Sequence, residues 1–334
     1  MKLISIAMCT YNGSKHIREQ LASIIGQSRQ PDEIIICDDG SSDDTVKLAR
    51  ETLANWPGRS EVVENEVNLG FSRNFQKAIG LCQGEIIFLC DQDDIWNRDK
   101  IAIMTNALQE HPQALLAVHD SILVDEDRNF IEKSFWGYFS PEFDSAEFDR
   151  HDYSRIFMGN VIQGCACAFR KALFRQALPF PEAACHDEWL ALVAIAKGGL
   201  LLVQEPLVEY RQGNNQIGAL RPSIVQRMRK WSSNFKTASA KWFAERERRH
   251  EVLAAFRERH GEELDEINRT ALQQWLEFNS SRMKSVQKFS PRLLLAAGDY
   301  FRMFSSGWAL KLWAKDLLIM LFGECVQRGK EEFS

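Results

Sequence analysis

The sequence predicts an α/β fold, a mostly parallel sheet with helices on both faces, followed by a helical region of different character. Short β-branched runs alternate with segments of helical period through the first 120 residues, and such alternation builds a parallel sheet covered on both sides. Three of these runs end abruptly in polar clusters, and a sheet of this kind gathers them at the carboxyl ends of its strands, where ligands bind. From Arg221 to His250 nine Lys or Arg stand against two Glu, and from Arg282 to Lys315 seven stand against one Asp. The change in composition places a boundary near Leu220, so residues 1–220 are expected as one domain and 221–334 as a basic helical region.

Taken in order, Leu3 to Cys9 is a strand by its β-branched content and stops at the turn sequence Thr10-Tyr11-Asn12-Gly13. Ser14 then opens a helix in which Ile17, Leu21, Ile24 and Ile25 recur at helical spacing. Glu33 to Cys37 is a second buried strand; it finishes in Asp38-Asp39, followed by Gly40-Ser41-Ser42-Asp43 and a helix through Val46, Leu48, Ala49 and Leu53. Glu61-Val62-Val63 is a weak third strand. Asn68-Leu69-Gly70-Phe71 turns into a helix from Arg73 to Leu81. Glu85 to Cys90 is the fourth strand, and an amphipathic helix follows from Arg98 to Leu108. Leu115 to His119 is a strand ending at Asp120. Residues 125–155 carry no clear period. Val161 to Phe169 reads as a strand, Lys171 to Leu178 as a helix, His186 to Ala194 as another, and Leu200–Val203 and Leu207–Tyr210 as two short strands.

The fourth strand carries the chemistry. It ends in Asp91-Gln92-Asp93-Asp94, and in extended chain alternate side chains share a face, so Asp91 and Asp93 project together. Two carboxylates side by side repel, and no Lys or Arg lies closer in sequence than Arg98. A divalent cation with oxygen ligands, Mg²⁺ or Mn²⁺, resolves that repulsion and keeps coordination sites for phosphate oxygens. The competing structural reading makes the cluster an acidic cap, with Asp94 opening the next helix.

At 334 residues, 45% hydrophobic and 26% charged, the composition is that of an ordinary soluble globular protein, and the formal charge of −5 is mild. Eight Cys occur without a CxxC pair, which fits a reduced, intracellular protein. Neither a signal peptide nor a membrane-spanning stretch is expected: the apolar runs at Met1–Met8 and Leu317–Phe322 are too short. Cys165 and Cys167 share a strand face, but without further Cys or His nearby a zinc site is not expected.

Met8-Cys9-Thr10-Tyr11-Asn12-Gly13, Cys37-Asp38-Asp39-Gly40-Ser41-Ser42-Asp43, Asn68-Leu69-Gly70-Phe71 and Leu89-Cys90-Asp91-Gln92-Asp93-Asp94-Ile95-Trp96 resemble, in order, the blocks of family-2 glycosyltransferases of the Rossmann-like GT-A fold. His186-Asp187-Glu188-Trp189-Leu190 and Tyr210-Arg211-Gln212 resemble blocks of the subgroup of rhamnosyltransferases of bacterial surface polysaccharides. The resemblance covers residues 1–220. It implies that Thr10, Asn12, Asp38 and Asp39 hold the base and ribose of a nucleotide-diphosphate sugar, with Asp38 accepting a pyrimidine N3–H. Asp91 would contact the ribose or help fix the metal, Asp93 would bind it, and Arg73 and Arg211 would neutralise the diphosphate. Asp187 matches the position of the base that takes the acceptor's proton in an inverting transfer; as a structural residue it would be a helix N-terminal charge. Glu188 and Trp189 are acceptor candidates, although a helix-face Trp also suits a core. Relatives commonly carry a His after the Tyr-Arg-Gln triplet; here Gly213-Asn214-Asn215-Gln216 follows, so Asn214 or Gln212 would substitute, or water would complete the site.

In the basic region Leu294, Ala297, Phe301, Phe304 and Trp308 form one helical stripe, with Arg292, Arg302, Lys311 and Lys315 around it. Such a stripe suits the surface of an anionic membrane, or packing against the first domain or a second copy of the chain. A lipid-linked saccharide acceptor and a cytoplasmic location, peripheral on the inner face of the cell membrane, would follow from the first. Nucleic acid is not expected as a partner, for no binding motif interleaves the basic residues. Two other functions remain open at this stage: a nucleotidyltransferase using paired carboxylates, and a non-catalytic nucleotide-sugar-binding scaffold.

Overall fold

The computed structural model describes residues 3–139, 153–212 and 235–287. The chain divides into two units, Met1–Ala219 with His260–Asp265, and Leu220–Arg259 with Glu266–Ser334.

The first unit is built on β1 (Ile4–Thr10), α1 (Ile17–Ile25), β2 (Glu33–Asp38), α2 (Thr45–Leu53), β3 (Arg59–Glu64), α3 (Phe71–Leu81), β4 (Ile86–Cys90), β5 (Ile95–Trp96), α4 (Lys100–Glu110), β6 (Leu116–Asp125), β7 (Phe130–Glu132), α5 (Phe135–Phe139), α6 (Ser154–Met158), β8 (Cys167–Arg170), α7 (Lys171–Ala177), α8 (His186–Ala196) and β9 (Leu200–Gln212). Its nine-stranded sheet has the order β3-β2-β1-β4-β8-β6-β9-β5, with β7 on β6. The first four strands are parallel; β8 runs antiparallel to β4 and β6, and β9 runs parallel to β6. The expected mostly parallel sheet is thus parallel across its first half and mixed beyond it. The chain enters β8 from the strand-end rim and runs back through the sheet.

β1, β2 and β4 are buried on both faces, as near-continuous apolar strands of a covered sheet must be. Ile17, Leu21 and Ile24 of α1 lie on the core at four- and three-residue steps. Each such side chain, fully buried, contributes about 1.5–3 kcal/mol. Parallel register places Thr10 beside Asp38 and Met8 beside Cys90, so the three polar clusters share one edge of the sheet.

The departures from expectation are local. Val161–Gln163 is not strand; a 3-10 turn at Gly164–Ala166 precedes β8. The two short strands after residue 200 are one continuous β9, bent where its pairing with β6 shifts register. β6 continues beyond Asp120, and the region without period holds β7 and α5.

The second unit carries α9 (Phe235–His260) and α10 (Glu266–Gln287), with Val252, Leu253, Phe256, Leu272, Trp275 and Leu276 buried. Asn279 is buried there and donates to the Arg246 carbonyl at 3.3 Å. The stripe from Leu294 to Trp308, its flanking cations, and Asn214 lie outside the described residues. Among the described residues no helix is long and apolar enough to cross a membrane.

Candidate active site

The rim of β1, β2 and β4 is held together by its own polar side chains. Asp38, buried, accepts from Thr10 Oγ1 (2.7 Å), Ser41 Oγ (2.6 Å), Ser41 N (2.8 Å) and Gly40 N (3.2 Å). A carboxylate offers about four lone-pair directions, and these donors occupy them. In this structure the Asp38 carboxylate is engaged by the β2 turn and by Thr10. Asp39 organises the next loop, accepting from Leu69 N (2.7 Å), Asn65 Nδ2 (2.8 Å) and Gly70 N (2.9 Å). That fixes Gly70 at φ +77°, a conformation suited to glycine, at the start of α3. Asn12, also left-handed at φ +50°, accepts from Ser42 N at 2.9 Å. Tyr11 N donates to Gln92 Oε1 (2.8 Å), and Gln92 Nε2 returns to Tyr11 O (3.1 Å), tying the β1 loop to the acidic loop.

The acids after β4 do not share one environment. Asp94 is only 1% exposed and accepts from Arg211 N at 3.1 Å. Its carboxyl, that of Asp91 and the Cys165 thiol lie within 4.8 Å of one another. Beside them Lys100, fully buried, donates to the Cys165 carbonyl at 2.5 Å and sits 3.5 Å over the Trp96 ring. Burial, then Asp94 and Asp91, push the Cys165 thiol well up, so it remains protonated and is no ligand for a hard cation. Asp94 faces this interior, whereas Asp91 and Asp93 stand partly exposed at the rim. Burial first, then Asp93 and Asp187, push the Asp91 carboxyl up to about 7. Asp187, remote in the chain, thus lies near enough for its charge to be felt at Asp91.

Asp187 is placed by the first turn of α8. Its Oδ1 accepts from Glu188 N at 2.6 Å and from Asn160 Nδ2 at 3.3 Å. An amide at a helix N-terminus favours a negative charge beside it. Its neighbours Glu188 and Trp189, expected at the acceptor, are both buried. Trp189 is 0% exposed and donates from Nε1 to the Ala177 carbonyl at 2.7 Å, so it is core; Glu188, also buried, lies on the inner side of the helix. Arg73 pairs with Glu182 at 2.7 Å on the surface. Arg211 is 3% exposed, and its guanidinium is engaged by Glu19, the Glu126 carbonyl and the Asp93 carbonyl. In this structure all three of these guanidinium contacts are to protein groups.

Sequence reasoning missed Lys100, Asn160 and Gly164, and assigned His186 no role. His186 stacks on Phe75 with centroids 3.9 Å apart, and a Cβ on Gly164 would lie 2.8 Å from its Nε2. Both ring nitrogens lack a hydrogen-bond partner among the described residues, and burial pushes the imidazole down to about 3. The native ring stays neutral while the unfolded chain takes a proton below about pH 6.5, so stability is lost as pH falls from there toward 3. At pH 5 the loss is about 2 kcal/mol relative to neutral pH. His186→Phe keeps the stack and cannot titrate; urea unfolding should show the variant gaining about that amount on the wild type between pH 7 and pH 5.

Comparison with known proteins identifies the family and the fold. Residues 5–177, slightly more than half of the chain, match the family described as Glycosyl transferase family 2. The chain belongs to this family. Among relatives of this glycosyltransferase, an uncharacterised protein of Mycobacterium tuberculosis is 27% identical over 214 residues, 63% of this chain. The chain spans only 58% of the length of that relative. The dTDP-rhamnosyl transferase RfbG of Shigella flexneri is 27% identical over 231 residues, 64% of this chain and 74% of the relative. Among solved structures, S. aureus TarS in complex with UDP-GlcNAc superposes with a TM-score of 0.56 at 19% identity, over 87% of this chain and 74% of that one. The mannosyltransferase PcManGT of Pyrobaculum calidifontis, in complex with GDP-Man and Mn²⁺, gives 0.52 at 18% identity, over 98% and 88%. These structures share the GT-A fold with the glycosyltransferase described above.

Proposed function

We propose that this family-2 glycosyltransferase is an inverting, cation-dependent enzyme. It moves a sugar from a nucleoside-diphosphate donor to a saccharide acceptor in the synthesis of a cell-surface polysaccharide such as an O-antigen or capsule. The observation that carries the proposal is that Gly164, where a Cβ would lie 3.9 Å from Asp187 Cβ, adjoins Cys165, whose thiol lies within 4.8 Å of the Asp91 carboxyl. The Asp91 carboxyl, raised first by burial, also feels the charges of Asp93 and Asp187. This neighbourhood supports the reading that acids from the end of β4 and the start of α8 serve one site.

Asp93 and Asp91 supply hard oxygen donors, which suit Mg²⁺ or Mn²⁺. When bound, such a cation neutralises the charge that accumulates on the departing nucleoside diphosphate. Asp187 accepts the proton of the acceptor hydroxyl as its oxygen attacks the anomeric carbon. The bond from that carbon to the diphosphate oxygen breaks on the opposite face, the electron pair leaves with the diphosphate, and configuration inverts. The Glu188 amide and Asn160 hold Asp187 for this step. Thr10, Asn12, Asp38 and Asp39 shape the nucleoside end of the cleft through the turns they organise.

The Shigella relative supports rhamnose as the transferred sugar, and relatives named for teichuronic acid biosynthesis and as a chondroitin synthase support a polysaccharide product. The excess of Lys and Arg in residues 221–334 supports a peripheral seat on an anionic membrane, where a lipid-linked acceptor would be met. The test is donor hydrolysis and transfer by the full chain, across dTDP-rhamnose, UDP-GlcNAc and GDP-mannose, with Mg²⁺, Mn²⁺ or EDTA. Release of nucleoside diphosphate that requires the cation and prefers dTDP-rhamnose is expected. Binding without release from any donor would instead identify a non-catalytic binder.

A further inference from the structure

We propose that Arg211 is a positioning residue, a clamp anchored by Glu19 that holds the Asp93–Asp94 loop in the shape its ligands require. The inference rests on the cation-site reading above, and assigns part of that site's geometry to residues that touch neither cation nor sugar donor.

Arg211 binds four separate groups. Its Nε donates to the Asp93 carbonyl at 2.7 Å, its Nη1 to the Glu126 carbonyl at 2.6 Å, and its Nη2 to Glu19 Oε2 at 2.9 Å. Its backbone N–H donates to Asp94 Oδ1 at 3.1 Å. The planar fork thereby joins the acidic loop, the β6–β7 turn and α1, a task for which its fixed donor geometry is suited. Glu19 is shared, since its Oε1 accepts from Arg128 Nη1 at 2.9 Å. Arg128 occupies the β6–β7 turn at φ +65° and also binds Glu209 at 2.8 Å, the residue of β9 paired with Ile95 of β5. The acidic loop is therefore fixed from behind by a closed ring of contacts, with one buried guanidinium at its centre. A buried Arg deprived of its carboxylate is left with an uncompensated charge. The loop carbonyl it holds would move, and the Asp93 side chain with it.

Glu19 separates this role from direct ligand binding. Its side chain is 44% exposed on α1 and lies outside the candidate ligand set. Mn²⁺ binding by electron paramagnetic resonance, with and without UDP or dTDP, is measured for the full chain, E19Q, R211K and the double variant. Hydrogen exchange is followed in parallel at residues 91–97, where Trp96 N donates to Ser23 Oγ and Asn97 N to the Leu207 carbonyl. E19Q and R211K are each expected to weaken Mn²⁺ binding about tenfold, as outer-shell substitutions do, and to speed exchange across the loop. The double variant should be no worse than R211K, because both break one connection. An E19Q that binds Mn²⁺ and exchanges like wild type, while R211K loses nucleoside diphosphate, would overturn the clamp and return Arg211 to the donor. Should R211K fail to fold, E19Q decides alone. Should wild type bind no Mn²⁺, the cation reading fails, and exchange at residues 91–97 still decides the clamp.

Discussion

Asp187→Asn is expected to lower kcat by roughly 10²–10⁴-fold while leaving donor and Mn²⁺ binding within about twofold of wild type. The loss corresponds to about 3–5 kcal/mol of transition-state stabilisation. The asparagine carbonyl still accepts from the Glu188 amide, so α8 keeps its start and the fold its stability. What is removed is the only property the proposal uses, a carboxylate able to take a proton. Steady-state transfer kinetics alongside calorimetric Mn²⁺ titration check both halves. A variant that turns over at the wild-type rate would favour phosphoryl chemistry at the β4 acids alone, as in a nucleotidyltransferase, over sugar transfer.

Asp39→Ala should have the largest effect on stability. It strips an acceptor from Leu69 N, Gly70 N and Asn65 Nδ2 together, in a place where Asp39 is 4% exposed. Leaving such donors unmet costs about 1–3 kcal/mol each, reduced where water enters, so a loss of about 3–5 kcal/mol is expected. Thermal unfolding should fall by on the order of 10 °C. Asp39→Asn retains one carbonyl oxygen for Leu69 and Asn65 and should lose roughly half as much. Equal melting of the alanine variant and wild type would show that the β3–α3 loop is held by something other than this carboxylate.

The contrast between Asp38 and Asp187 shows what the sequence could tell and what it could not. Strands β1, β2 and β4 were legible because an apolar run bounded by Gly and polar residues has few alternatives, and their parallel register then brings the polar ends together without further information. The position of Asp187 near that rim followed from the family resemblance and from no spacing in the chain. Asp38 reads as a ligand by residue type, whereas the four donors from its own turn and from Thr10 that surround it are visible only in the fold. Lys100 was read as part of an amphipathic helix. Only the fold shows it fully buried against Cys165 and Trp96, next to Asp94. The protein partners of Arg211 are likewise visible only in the fold, since residue type shows a cation near acids and not what it binds. β7, α5 and the turn at Gly164 were invisible because aromatic and polar residues without period carry no local signal. Gly164 has its reason far along the chain, in the imidazole of His186.

The central claim is that Asp93 and Asp187 face each other across one donor site. Crystals grown with Mn²⁺ and UDP or dTDP, with data collected at the manganese absorption edge, test it most directly. The account predicts an anomalous peak at coordination distance, about 2.0–2.3 Å, from an Asp93 oxygen, with the diphosphate between that peak and Asp187. A peak seated inside the Asp94–Cys165 pocket, or a diphosphate bound on a face that Asp187 does not reach, would contradict it.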